Sequence, residues 1–234
     1  MSIRLGKWQD TLHGETCDAL ICDPPYSAKT HDCAKNLRAN SKTADPSMFS
    51  AGLAPDYSPM SNADVFEFVE SWSHRVRGWI VCMTDSASIE TYQKTYESVG
   101  RYAFAPVPCV MRGMSIRISG DGPSSWTVYA MVSRPRNSVF AKWGTLPGAY
   151  VGPPSTDAGG GRGKPAWLLR ALVRDYSRRG DVVIDPFAGW GSTILAAQGL
   201  DRVGLGSEMD PTAHAKAMSN LAKGSQSDLF AVSP

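Results

Sequence analysis

The chain has 234 residues, 42% of them hydrophobic and 20% charged, with a net charge of +2. Such a composition excludes a disordered chain and is enough to build a core without disulfides. No run nears the roughly 20 apolar residues that cross a bilayer, and Met1 to Trp8 lacks a signal-peptide core, so a cytoplasmic protein with no membrane partner is expected. Charge is unevenly spread. Between Arg101 and Gly180 stand twelve basic and three acidic residues, a local net charge of +9. A basic region on a near-neutral chain suits a polyanion. The five cysteines are odd in number and form no C-x-x-C pair. They read as free thiols. His31 and Cys33 lack companions for a metal site, and none is expected.

In chain order, Ile3–Leu5 and Cys17–Cys22 read as strands, the second buried and ending at Asp23. Apolar spacing from Asp64 to Val76 predicts a helix, with Ser61 or Asn62 as its N-cap. Trp79–Met83 is a buried strand and Ser86–Val99 a helix closed by Gly100. Tyr102–Met111 and Trp126–Val132 are two further strands. Residues 134–163, rich in Pro, Gly and Ser, read as an irregular insert. Trp167–Arg178 is an amphipathic helix. Val182–Ile184, Ser192–Leu200, Arg202–Leu205 and Pro211–Ala222 then alternate strand and helix. This alternation predicts an α/β fold with a mainly parallel sheet and helices on both faces. Residues 27–62 form a long polar excursion, of the kind that is functional or disordered.

Two strand-end motifs carry the chemistry. The first is Asp23-Pro24-Pro25-Tyr26. Ligands of open α/β sheets bind at the carboxyl ends of strands. An aromatic exocyclic amine is a poor nucleophile because its lone pair is delocalised into the ring. Two acceptors aimed at its hydrogens, the Asp23 carboxylate and the Pro24 carbonyl, localise that lone pair. The prolines stiffen the loop and pre-organise the acceptors. Tyr26 offers a flat face to a base extruded from a duplex.

The second motif is Asp185-Pro186-Phe187-Ala188-Gly189-Trp190-Gly191-Ser192-Thr193, between a strand and a helix. It lacks the lysine of a P-loop. Its glycines allow close approach of a ligand, and the helix start attracts a carboxylate. Glu208, after the next strand, is placed to accept ribose hydroxyls. Glycine loop plus downstream acid points to an adenosine-containing ligand.

Together these motifs resemble the DNA amino-methyltransferases. The resemblance makes Asp23, Pro24, Pro25 and Tyr26 the catalytic motif. It makes Asp185, Pro186, Phe187, Ala188, Gly189, Gly191, Ser192 and Glu208 a site for S-adenosyl-L-methionine, with Asp23 at its edge. Lys164-Pro165 looks like the family motif that precedes the cofactor loop, which makes both residues part of the cofactor site, and Lys7, Trp8 and Asp10 would lie near the cofactor adenine. Gly6 and Asp10 are separated here, whereas family members usually join Gly and Asp. The catalytic motif precedes the cofactor loop, the circularly permuted order of the β class.

The resemblance therefore implies a Rossmann-like methyltransferase fold. Residues 1–133 would hold the catalytic half with its inserted loop 27–62, residues 134–163 a short target-recognition insert, and residues 164–222 the cofactor half, followed by a tail from 223. It implies DNA as partner, a homodimer, and transfer to N6 of adenine, because N4-cytosine enzymes usually carry Ser where Asp23 stands. N4-cytosine, RNA adenine and a catalytically silent DNA-binding subunit are the alternatives. Arg112, Arg117, Arg134, Arg136, Lys142 and Arg162 are the expected DNA contacts. Trp143 and Tyr150 are read as the small core of the insert rather than as DNA wedges.

Overall fold

A computed structural model describes residues 2–30, 32, 58–113, 125–136, 143–154 and 164–227. Its strands are β1 (Ser2–Leu5), β2 (Cys17–Cys22), β3 (Val76–Thr84), β4 (Arg101–Ala103), β5 (Val107–Met111), β6 (Thr127–Pro135), β7 (Tyr150–Gly152), β8 (Val182–Asp185) and β9 (Val203–Glu208). Its helices are α1 (Trp8–Thr11), α2 (Asn62–Ser73), α3 (Ile89–Ser98), α4 (Ala166–Tyr176), α5 (Ser192–Gln198) and α6 (Pro211–Ser227). The strands form one sheet in the order β1-β9-β8-β2-β3-β6-β5-β7, with β4 also on β6.

Strands β1, β9, β8, β2 and β3 run parallel. The central strands β8, β2 and β3 are largely buried on both faces, as parallel strands are, while Arg4 and Leu5 of the edge strand β1 are exposed. Along β2, Ala19 and Ile21 face α4 and its leucines, while Cys17, Leu20 and Cys22 face α1, α2 and α3. The second face is sealed by Trp8, Phe68, Trp72, Tyr92 and Tyr96. α6 packs on α5 and β1 through Ala217 and Leu221. Ser61 caps α2 with a full capping box, its hydroxyl accepting from the Asp64 N–H. Gly204 and Gly206 let α5 lie close on β9, where an added Cβ would come within 2.8 Å of Ile194 or 2.9 Å of Ala188.

The order reverses between β8 and β2. From β8 the chain passes through α5 to β9 on one side, and from β2 through α2 to β3 on the other. This is the topological switch point, where open α/β sheets open a crevice at their carboxyl ends. β6 runs antiparallel to β3, with Thr84 opposite Tyr129 and Ile80 opposite Ser133. Its start therefore shares the rim of the parallel strand ends, and its end, at Pro135, lies at the other end of the sheet.

Three segments differ from the sequence reading. The last helix, expected to end at Ala222 before a tail, runs on to Ser227. The strand expected over Tyr102–Met111 is split. Ala103 pairs with Ser133 and Val107 with Ala130, so three residues, Phe104 to Pro106, oppose two. This is a bulge, and Pro106 can donate no ladder hydrogen bond there. The expected irregular insert contributes β7, parallel to β5 through Tyr150–Cys109 and Gly152–Met111. Trp143 and Tyr150 belong to the main core, with the Trp143 ring 5.6 Å from that of Trp79. A three-residue strand is too short to show a period, which is why β7 left no sequence signal.

Candidate functional site

Asp23 follows β2 directly, and Asp185 ends β8, its neighbour in the sheet. Glu208 ends β9, the next strand out. Parallel register therefore brings three carboxylates from distant parts of the sequence to one rim.

Asp185 is buried and its Oδ1 accepts from the Phe187 N–H at 2.9 Å. Burial pushes its carboxyl up to about 7. Hydrogen bonds from Thr193 and Phe187 oppose that rise, and the Asp23 and Glu208 charges add to it. A carboxyl raised chiefly by burial, with two further carboxylates near it, is one whose charged form a cationic ligand would favour. The turn that follows is held by the Ala188 N–H on Ser207 O (2.9 Å) and the Gly191 N–H on Ala188 O (2.7 Å). Gly189 and Gly191 have φ of 53° and 83°, the left-handed region that glycine enters without penalty. A Cβ on Gly189 would meet nothing closer than 4.0 Å, so the loop is open at that point. Glu208 Oε2 accepts the Gly189 N–H and Oε1 the Asp210 N–H, both at 2.8 Å. The carboxylate is thus fixed, with lone pairs left for a diol.

The Asp23 side chain is partly buried. Its Oδ2 accepts from the Lys164 ammonium at 2.5 Å. Its Oδ1 is fully buried and has no hydrogen-bond partner among the described residues. A buried acceptor without a donor costs about 1–3 kcal/mol, so it marks a place where a donor is meant to arrive. The Lys164 ammonium also lies 4.8 Å from the centre of the Tyr26 ring. Pro24 is buried and Pro25 half-buried beside it.

The chain after Tyr26 is held by a residue that the motifs did not reveal. Asp85, just past β3, receives the Ser27 N–H (3.1 Å), the Ser27 hydroxyl (2.6 Å) and the Thr30 hydroxyl (2.5 Å) on Oδ2. Its Oδ1 receives the Ala87 N–H (3.0 Å) and the Ser88 N–H (3.2 Å). The Tyr26 carbonyl accepts the Met60 N–H at 3.1 Å, closing the base of the long excursion. An acid directly after a buried strand was the available signal.

Residues 160–219 match the N6/N4 family described as DNA methylase. Solved structures extend the likeness to nearly the whole chain. The M1.HpyAVI–SAM complex superposes with a TM-score of 0.65 at 18% identity, covering 94% of this chain and 98% of that one. TTHA0409 of Thermus thermophilus, complexed with S-adenosyl-L-methionine, gives 0.60 at 18% identity and 95% coverage of both chains. PvuII DNA methyltransferase (cytosine-N4-specific) gives 0.64 at 13% identity, covering 93% and 84%.

The chain has a Rossmann-like methyltransferase fold.

No curated protein matches the sequence. Within this methyltransferase fold, Asp23, Pro24, Pro25, Tyr26, Lys164, Pro165, Asp185, Pro186, Phe187, Ala188, Gly189, Gly191, Ser192 and Glu208 all gather at the switch-point rim. Lys7 caps α1 at the same rim, with its side chain exposed. Trp8 is different. It is 8% exposed and packs edge-on against Phe68 with ring centres 5.5 Å apart, and against Trp72. Most of the ring is packed in the core, and its remaining surface borders an open pocket with Gln9, His13, Glu67 and Arg75.

The basic residues divide. Arg112 follows β5 at the switch-point rim, its N–H on Gly152 O. Arg134 and Arg136 lie at the end of β6, the opposite end of the sheet. There the Arg134 guanidinium stands 5.1 Å from the centre of the Tyr102 ring. Because β6 is antiparallel, residues that look central in sequence point away from the site. Arg117, Lys142, Arg162, His31 and Cys33 lie outside the described residues.

Proposed function

We propose that the chain is a β-class, S-adenosylmethionine-dependent DNA methyltransferase acting on N6 of adenine in a base flipped out of the duplex. The observation that carries this reading is the buried Oδ1 of Asp23, without a donor among the described residues, one strand away from the carboxylate-lined loop at Asp185. The order of β2 before β8 in the chain supports the permuted class.

The residues fit S-adenosylmethionine. Asp185 and Glu208 make a negative pole for a cation, Glu208 keeps acceptor capacity for ribose hydroxyls, and the open Gly189 turn admits a ligand. The cofactor supplies an electrophilic methyl group there. Everything else falls to the chain. Asp23 Oδ1 and the Pro24 carbonyl accept the two amino hydrogens and turn the nitrogen lone pair outward. Tyr26 stacks on the extruded base and offsets its lost stacking in the duplex. Arg112 meets the phosphate backbone at the same rim. Positive charge developing on the amine is stabilised by acceptors already in place.

Asp rather than Ser at position 23 supports adenine over cytosine. Incubating DNA with methyl-tritiated S-adenosylmethionine and analysing the nucleosides tests the reading. Label in N6-methyldeoxyadenosine supports it. Label in N4-methylcytosine overturns the choice of base, and no incorporation overturns the activity.

A further inference from the structure

The motif resemblance assigns Lys164 to the cofactor, yet its ammonium is bonded to the catalytic carboxylate. Lys164 stands where the chain enters α4. Pro165, buried and at φ −56°, caps that helix and receives the Leu168 and Leu169 N–H groups on its carbonyl. A residue before proline is held extended, so the lysine departs from a stiff base. Its side chain is 15% exposed, more enclosed than that of Asp23 at 29%. A carboxylate has two oxygens and turns as one plane. Fixing Oδ2 on the ammonium therefore fixes where Oδ1 points, and Oδ1 is the atom left buried and open.

We propose that Lys164 is the positioning residue of Asp23. Its ammonium occupies one carboxylate oxygen and so presents the other to the amino group of the target base. The contact with the Tyr26 ring places the same cation beside the stacking platform, so one side chain sets the acceptor and borders the pocket. This inference rests on the proposed function. It differs from a plain ion pair in one respect: the number of donors matters as well as the charge. An ammonium engages one oxygen here, whereas the planar fork of arginine binds carboxylates through both.

The test uses the full chain with K164M, K164A and K164R. Methyl transfer to DNA is measured as kcat and KM, and S-adenosylmethionine binding by calorimetry. K164M is expected to lose tenfold or more in kcat, with KM for DNA and cofactor Kd each within about threefold of wild type. K164R keeps the charge and is expected to be no better than K164M, because its fork takes Oδ1 as well. Added propylammonium should restore part of the kcat of K164A in a saturable way. Wild-type kcat in K164M or K164R would overturn the proposal. So would a tenfold loss of cofactor affinity in K164M, which would return the lysine to the cofactor. An inactive wild type would instead overturn the proposed function.

Discussion

Asn in place of Asp85 probes the support of the loop at residues 23–26 rather than the loop itself. Five hydrogen bonds end on this carboxylate, three of them from the Ser27 N–H and the Ala87 and Ser88 N–H groups, which cannot reverse. An amide has one accepting oxygen. If its nitrogen faces Ala87 and Ser88, two backbone donors are stranded. If it faces Ser27, one is stranded and the Ser27 and Thr30 hydroxyls turn to accept. The second arrangement costs less. Losing one charge-assisted bond amounts to about 1.5–3 kcal/mol, and the survivors become weaker neutral bonds. Asp85 is half-buried, so solvent screening brings the total to roughly 2 kcal/mol.

That loss falls on the chain leaving Tyr26, and it corresponds to about a thirtyfold drop in kcat/KM for DNA. Cofactor affinity is expected to stay within about twofold. Burial raises the Asp85 carboxyl, but the bonds from Ser27, Thr30 and Ala87 outweigh burial and hold it below its ordinary 3.8. A depressed pKa means that the stabilisation is complete above the ordinary value and is lost as pH falls through the lower, folded value. The ratio of D85N to wild-type rates is therefore expected to be flat between about pH 6 and pH 9. Wild-type kcat/KM in D85N, or an equal loss of cofactor affinity, would refute the reasoning.

Asp23→Ala is expected to bind S-adenosylmethionine with wild-type affinity by calorimetry while losing at least about a hundredfold in kcat, in line with removal of a pre-organised acceptor. Tyr26→Phe keeps the stacking face and is expected to cost less than about threefold in methyl transfer, whereas Tyr26→Ala loses the roughly 1–3 kcal/mol of base stacking. Equal rates for the two variants would argue against stacking. Arg112→Ala is expected to reduce the slope of log K for DNA against log salt by about 0.9, one phosphate contact. Arg134→Ala, at the far end of the sheet, is expected to leave that slope unchanged.

The two candidate loops, after Cys22 and at Asp185, were legible as strand ends because each interrupts a buried apolar run at a point where the residue types have a chemical use. Cys17 to Asp23 and Val182 to Asp185 announce strand ends, and a parallel sheet does the rest by aligning them. What stayed illegible depends on direction and pairing. The basic stretch from Arg101 to Gly180 reads as one polycation along the chain. Folding the chain through antiparallel β6 sends Arg134 and Arg136 to one end of the sheet and Arg112 to the other. Trp8 follows a strand end, and its packing against Phe68 and Trp72, from a helix some sixty residues away, left no local signal. The Phe104–Pro106 bulge and β7 are set by their partners on β6 and β5, and no local period reports them. Lys164 was assigned through its motif, and only the distance to Asp23 shows what its ammonium holds.

A crystal structure of the protein bound to S-adenosylmethionine addresses the arrangement most directly. The account predicts the adenosine hydroxyls on Glu208, the ligand threaded along residues 185–191, and the sulfonium methyl facing the pocket bounded by Asp23 Oδ1 and the Tyr26 ring. A methyl directed away from residues 23–26, or a cofactor seated at the opposite end of the sheet beside Trp143, would contradict it.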